Sequence, residues 1–305
     1  MKKDLISIGE LESETIFEIL DLAKEIKSDK AKYADSLKGK SIGLIFQKPS
    51  NRTRVSFEIG MVQLGGHAAY LGSNEIDMGK RESVKDVAAV LSRYLDGLVA
   101  RTYKHDDVKE LAKYATVPVI NGLSDSAHPC QALSDIFTIR EKFGSFKSIT
   151  LSYIGDGNNV LNSLMCAAVK AGLNMNIATP KGYEPSGELV EIAKAFAEAS
   201  GSKLEFSNDP KRAAKNADVI YTDVWVSMGQ ESQVKEREKA FKSFQINDQL
   251  MNAANGNCLV MHCLPAHRGH EITDSVIDSK NSIIYDQAEN RMHVQKAILL
   301  MLLGK

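Results

Sequence analysis

Short apolar runs alternate along this chain with longer stretches of helical period, and no other feature of the sequence limits the fold as strongly. Runs that are apolar throughout suit strands buried on both faces. The stretches between them suit the crossover helices that parallel strands require. Strands are expected at 41–46, 67–71, 96–101 and 117–121, then at 148–154, 174–179, 218–222, 258–262 and 282–285. Helices are expected between them, among others at 52–64, 83–94, 129–143, 160–171 and 188–200, and a terminal helix with an apolar face at 287–303. The two groups of strand–helix units predict an α/β protein of two doubly wound domains. Each would have a central, mainly parallel sheet flanked by helices, with an active site in the cleft between the domains.

At 305 residues the chain exceeds one ordinary core, and domains of about 150 residues are the common outcome. The helix that runs into a glycine and a charged turn near 142–147 marks the expected boundary, giving domains 1–144 and 145–305. A net charge of −1 argues against nucleic acid or an anionic membrane as a general partner. Cys130, Cys166, Cys258 and Cys263 are scattered and form no secreted disulfide framework. Asp4, Glu10, Glu12 and Glu14 break up the N-terminal stretch, so no signal peptide is expected. No apolar run reaches the ~18 residues that would suggest a membrane span. These features point to a cytoplasmic location.

In open α/β sheets ligands bind beyond the carboxyl ends of the strands, and the unusual residues cluster there. The run Phe46-Gln47-Lys48-Pro49-Ser50-Asn51-Arg52-Thr53-Arg54 leaves a strand, turns at proline and enters a helix through hydroxyl and amide caps. Free backbone N–H groups at the positive end of the helix dipole make a phosphate cradle, and Arg52 adds a planar fork. A well-capped helix with two surface arginines would read the same way. Asp125-Ser126 precede His128-Pro129-Cys130-Gln131 at another strand-to-helix turn. There histidine can donate to a carbonyl and glutamine can recognise an amide, although a His-Pro turn alone has the same form. Arg101 ends a strand, where burial without an anion is costly.

In Tyr221-Thr222-Asp223-Val224-Trp225-Val226-Ser227-Met228-Gly229, Asp223 leaves a strand where a carboxylate can hold an ammonium group or simply cap a turn. His262-Cys263-Leu264-Pro265-Ala266-His267-Arg268-Gly269 offers an active-site thiol. Its histidines, with His270, also suggest a metal. However, neighbours at a strand end point to opposite faces, and the spacing matches no familiar zinc pattern. Ile154-Gly155-Asp156-Gly157-Asn158-Asn159-Val160 resembles a dinucleotide fingerprint without its third glycine, and the next strand ends in Ala178-Thr179-Pro180 without the acidic residue a ribose needs. A nicotinamide dehydrogenase is therefore not expected, and Asn159 remains free to bind something smaller.

Together and in this order, these clusters resemble the ornithine carbamoyltransferase family over essentially the whole chain. The carbamoyl phosphate signature of the wider superfamily, Ser-Thr-Arg-Thr-Arg, stands here as Ser50-Asn51-Arg52-Thr53-Arg54. The resemblance implies transfer of a carbamoyl group from carbamoyl phosphate to the δ-amine of L-ornithine, by direct attack through a tetrahedral intermediate. It implies that Ser50, Asn51, Arg52 and Thr53 bind phosphate, and that Arg101, His128 and Gln131 contact the carbamoyl end. Cys263, Leu264 and Arg291 would complete the carbamoyl phosphate site. Asn159, Asp223, Ser227 and Met228 would hold the amino-acid head of ornithine. Arg101, His128, Asp223 and Cys263 would be catalytic, with no metal or organic cofactor required.

The family pattern also implies a homotrimer or a multiple of trimers, and a terminal helix, 287–303, packed back on the first domain. Asn51 replaces the usual threonine, with a small effect expected. Asp77 stands where relatives have glutamine or histidine, and a carboxylate beside a dianion would be repulsive, so Asp77 is left outside the site. A carbamoyltransferase for another amine, such as putrescine, and a silent binding protein are the competing readings. Citrulline formation from ornithine separates all three.

Overall fold

The structure, a computed structural model, describes residues 4–304 apart from Met228 and Gln230. The chain forms two units, Met1–Phe137 with Asn290–Lys305, and Thr138–Glu289. In the first, β1 (Ser41–Phe46), β2 (His67–Gly72), β3 (Gly97–Arg101) and β4 (Val119–Leu123) form a parallel sheet in the order β2-β1-β3-β4. In the second, β5 (Thr150–Ile154), β6 (Asn174–Ala178), β7 (Leu204–Ser207), β8 (Val219–Thr222) and β9 (Leu259–His262) form a parallel sheet in the order β7-β6-β5-β8-β9. This is the expected doubly wound class.

The local reasons are visible in the burial. Every residue of β1 after Ser41 is buried, as are all of β3 and β8, so these strands read as continuous apolar runs rather than alternating ones. Ile45, Leu98, Ala100 and Val119 meet Val108 and Leu111 of the helix His105–Tyr114 in one core. Ile154, Ala178, Ile220 and Val260 meet Ile246 and Ile272 in the other. Parallel packing buries ~0.8 kcal/mol for each methylene removed from water, and this holds the strand ends in place.

Two expectations differ from the observed fold. The segment 282–285 is not a strand. Ser282 makes one isolated bridge to Val260, and the helix Ile284–Leu303 begins two residues later. A short apolar run such as Ser282-Ile283-Ile284-Tyr285 does not distinguish strand from helix by periodicity. Conversely, β7 was not anticipated, because it is a half-exposed edge strand with polar alternate residues.

The strand order reverses between β1 and β3 in one sheet and between β5 and β8 in the other. At such switch points the connecting loops diverge and leave a crevice at the carboxyl ends. The segments leaving β1, β3, β5 and β8 carry Ser50, Arg101, Asn159 and Asp223 respectively. Between β3 and β4 the register slips at Ala100/Arg101, which turns the end of β3 out of the regular ladder.

Gly157 shows how closely one of these turns is packed. Its N–H donates to the Tyr183 carbonyl at 2.9 Å. A Cβ there would lie 2.5 Å from backbone atoms of Tyr183, Glu184 and Pro185, none of which can rotate away. Gly157→Ala should therefore destabilise the second unit by about 1–3 kcal/mol, which is about 2–4 °C in melting temperature for each kcal/mol. An unchanged thermal transition would contradict this packing.

Candidate active site

In the first unit, Ser50 caps the helix Asn51–Gln63 in extended conformation, φ −162° and ψ 114°. Its Oγ accepts from Thr53 N–H at 3.3 Å and donates to Thr53 Oγ1 at 3.1 Å. Arg291 Nη2 donates to the same Thr53 oxygen at 3.0 Å. Thr53 Oγ1 thus accepts twice, which leaves its own proton to donate elsewhere. Behind it Gly122 is closely packed, since a Cβ there would sit 3.2 Å from Val99 Cγ1 and 3.3 Å from the Ala100 carbonyl. Arg54 faces away, bonded to Glu58 at 3.0 Å and lying 3.9 Å over the Tyr70 ring.

Arg101 is 6% exposed, and its Nε has no hydrogen-bond partner among the described residues. Burial, then repulsion from Arg291 and Arg52, pulls its guanidinium down to about 10. A positive group so destabilised favours an anionic partner. His128, 4% exposed, is held well below the usual imidazole range by burial and then by Arg291 and Arg101. It therefore stays neutral at physiological pH and can donate a hydrogen bond without adding charge. Pro129 occupies the first position of the helix Pro129–Phe143, where its missing N–H costs nothing. One turn on, buried Gln131 donates through Nε2 to Asp135 Oδ1 at 2.8 Å. That bond fixes the amide, and Gln131 Oε1 has no partner among the described residues. The group combines buried positive charge at a helix N-terminus with the unpartnered amide oxygen of Gln131, an arrangement that suits a dianion beside a planar amide.

In the second unit, Asp223 follows β8 and is 5% exposed. Its carboxylate accepts from Val224 N–H at 2.8 Å, Asn158 Nδ2 at 2.7 Å and Cys263 Sγ at 2.9 Å. Asn158 also caps the helix Asn159–Lys170, accepting from Val160 and Leu161 N–H. The capping bonds fix one end of the amide and aim the other at Asp223. Cys263 reaches Asp223 because Thr222 of β8 and His262 of β9 are paired in register, which places the next residue of each strand side by side. His262 accepts from Leu264 N–H through Nδ1 at 2.9 Å, so Nε2 carries the hydrogen and donates to Glu271 Oε1 at 3.0 Å. Glu271 Oε1 also accepts from His267 N–H, and the His262 N–H donates to Gln287. Leu264, at φ 59°, is held in the left-handed region by this network, a strain typical of functional turns.

The first group brings together Ser50, Thr53, Arg52, Arg101, His128, Gln131 and Arg291. Asn51, the first helical residue, is exposed there. The second brings together Asp223, Cys263 and Leu264, with Asn159 starting the helix next to Asn158. Ser227 lies on the segment after Trp225, and Met228 lies outside the described residues. The expected opposition of His262 and Cys263 is corrected. β9 ends at His262, so strand alternation does not reach Cys263, and donor atoms of Asp223, His262 and Cys263 lie within 4.8 Å of one another. Both His262 nitrogens and the Cys263 thiol are already engaged in the hydrogen bonds above, which a metal would have to displace. Sequence reasoning passed over Asn158, Asp135, Glu271 and Gln287. Asn158 was the findable one, as an asparagine directly before a helical run is a cap signal.

Comparisons with known proteins identify the family and the fold. The carbamoyl-P binding domain of the aspartate/ornithine carbamoyltransferase family matches residues 3–141, and the family's Asp/Orn binding domain matches 147–302. The ornithine carbamoyltransferase of Archaeoglobus fulgidus is 53% identical over 305 residues, covering 99% of this chain and 98% of its own. The anabolic ornithine carbamoyltransferase of Pyrococcus furiosus is 52% identical over 304 residues, covering 99% and 96%. A solved structure of the ornithine carbamoyltransferase from Pyrococcus furiosus superposes with a TM-score of 0.96 at 52% identity, covering 98% of this chain and 96% of that one. The chain belongs to the aspartate/ornithine carbamoyltransferase family, and within it to the ornithine carbamoyltransferases.

Proposed function

We propose that the two groups of residues divide one reaction, the first holding carbamoyl phosphate and the second holding L-ornithine. Ornithine's δ-amine attacks the carbamoyl carbon, and the products are L-citrulline and phosphate. The observation that carries this reading is the convergence of Arg52, Arg101 and Arg291 at the N-terminus of the Asn51–Gln63 helix. Three cations and a helix dipole at one place suit a phosphate dianion.

In this reading Ser50, Asn51, Arg52 and Thr53 bind the phosphate, and Arg291 orients the Thr53 hydroxyl. Gln131 Oε1 accepts from the carbamoyl NH2, since its Nε2 is committed to Asp135. Arg101 and neutral His128 donate to the carbonyl oxygen as it becomes an oxyanion, each donor worth ~3 kcal/mol in the transition state. Asp223 and Ser227 hold the α-ammonium of ornithine, while Asn159 and the Met228 backbone hold its carboxylate. Cys263 and Leu264 line the reacting centre. The δ-amine must be neutral to attack. With a pKa of about 10.4, by analogy with lysine, neutralising it at pH 8 costs roughly 3 kcal/mol. The tetrahedral intermediate then collapses, phosphate leaves, and the amine proton departs with it or through Cys263 and Asp223, already bonded at 2.9 Å. Neither route needs a metal or organic cofactor.

A homotrimer, or a multiple of it, is the assembly we propose. Val55, Ile59 and Val62 form an exposed apolar stripe at helical spacing on the Asn51–Gln63 helix, 52%, 43% and 62% exposed, which a second copy would cover. A cytoplasmic location suits four buried free cysteines, and among the described residues no helix is long and apolar enough to cross a membrane.

Three measurements test these assignments. Arg52→Ala should weaken carbamoyl phosphate binding by roughly 1.5–3 kcal/mol, at least about tenfold. Calorimetry giving wild-type affinity in a folded variant would remove Arg52 from the cradle. Val62→Glu should dissociate the assembly, and light scattering showing a wild-type mass at low protein concentration would move the interface elsewhere.

The third separates ornithine from other amines. Putrescine offers the same attacking amine without an α-carboxylate, so each unpaired donor costs about 1–3 kcal/mol. Two such losses predict roughly 30-fold or more in kcat/KM in favour of ornithine. Asp223→Asn should weaken use of both amines, since each presents an ammonium to that carboxylate, while carbamoyl phosphate still binds. Steady-state kinetics with both amines decides the matter, and equal use of putrescine by the wild type would sink the substrate assignment.

A further inference from the structure

The helix Val234–Phe241 presents an arginine inward although the helix itself is short and highly charged. Arg237 is 7% exposed, and its partner Asp156 is 5% exposed. Arg237 Nη1 lies 2.9 Å from Asp156 Oδ2 and donates to the Trp225 carbonyl at 2.9 Å, and its Nε donates to Gln233 Oε1 at 3.0 Å. The guanidinium packs 4.9 Å from the Tyr183 ring and 5.9 Å from the Phe241 ring. None of these groups belongs to either substrate site described above.

We propose that Arg237 is a positioning residue for the amino-acid site, tying the segment that carries Ser227 to the turn that carries Asn158 and Asn159. Asp156 stands two residues before Asn158, whose amide aims at Asp223 at 2.7 Å. Trp225 stands two residues after Asp223, so one guanidinium restrains the backbone that follows this carboxylate and the turn whose Asn158 bonds to it. Gln233 lies beyond Ser227, so the same side chain holds the segment before and after it. A planar fork with several donors in fixed directions can make all these contacts at once, whereas a lysine ammonium would satisfy fewer of them.

Asp156 explains why the tie resists dissolution. Burial pushes its carboxyl up to about 6, against the pull of Arg237, and Asp223 adds to the rise. Near neutral pH Asp156 is ionised and buried, and Arg237 is the cation that compensates it. Removing either partner leaves the other charge uncompensated away from water. The backbone then shifts to solvate it, and the amino-acid site shifts with the backbone.

The inference rests on ornithine being held at Asp223, and the experiment keeps the two apart. Arg237→Met, Arg237→Lys, Asp156→Asn and the double variant Arg237→Met/Asp156→Leu are assayed with the full-length protein for citrulline formation. Trp225, the single tryptophan, reports ornithine binding by fluorescence titration in the presence of carbamoyl phosphate. Ornithine KM should rise about tenfold or more in Arg237→Met and Asp156→Asn. It should rise less in Arg237→Lys, and in the double variant no further than in Arg237→Met, while carbamoyl phosphate affinity stays within about twofold. If Arg237→Met does not fold, Arg237→Lys alone decides, by a raised ornithine KM at unchanged carbamoyl phosphate affinity. An unmoved ornithine KM, or an equal loss of affinity for both substrates, would overturn the positioning role. Failure of the wild type to make citrulline would instead overturn the ornithine reading on which it stands.

Discussion

Parallel pairing sends every carboxyl end of a sheet to the same edge, and the candidate chemistry depends on that constraint. A chain that returns through a helix after each strand delivers a new loop to that edge each time. Phe46 and Arg101 are register partners in the first sheet, so the cradle after β1 and the arginine ending β3 become neighbours despite their separation in sequence. Thr222 and His262 are partners in the second, and the residues that follow them, Asp223 and Cys263, meet at 2.9 Å. No side-chain interaction has to find these partners. The backbone ladder does so, and the buried apolar strands keep it from slipping.

Electrostatics gives the two groups opposite characters. The first gathers positive charge where solvent is scarce, and the depressed guanidinium of Arg101 records the resulting cost. Such a cluster makes the unliganded unit less stable than an apolar substitute would, and it makes a dianion bind more strongly. Neutral His128 fits that balance, because another full positive charge beside Arg101 and Arg291 would add repulsion, and one ring N–H suffices to donate. The second group centres on a carboxylate whose oxygens already accept from Val224, Asn158 and Cys263. Those bonds fix its direction, and a charged carboxylate retains the capacity to accept from an ammonium group.

A layer of residues that touch no assigned substrate orients those that do. Asp135 fixes the Gln131 amide, Glu271 fixes His262 and, through it, the Leu264 N–H, and Arg237 donates to the Trp225 carbonyl two residues past Asp223. Glu271 Oε2 is buried without a partner among the described residues. Catalytic geometry tolerates little error, so in the proposed reaction the orientation these contacts give would matter without any part in bond making.

The sequence alone determined the fold class, because apolar periodicity is a local property and parallel strands buried on both faces leave a distinctive one. It also determined which residues were chemically unusual, since Ser50, Arg52, Arg101, His128, Asp223 and Cys263 stand at strand ends whatever their partners. Only the tertiary structure decided the partnerships. Periodicity could not separate strand from helix at 282–285, nor reveal the half-exposed edge strand at Leu204–Ser207, because both depend on what covers the segment. Alternation along a strand suggested that His262 and Cys263 diverge, yet the strand stops between them and their donor atoms converge near Asp223. The contacts of Glu271 and Arg237 were equally invisible, since a hydrogen-bond partner outside the local helical or strand spacing leaves no local trace. Spacing along the chain encodes which face a residue occupies, but contact across a sheet is set by register, and register is a property of the folded whole.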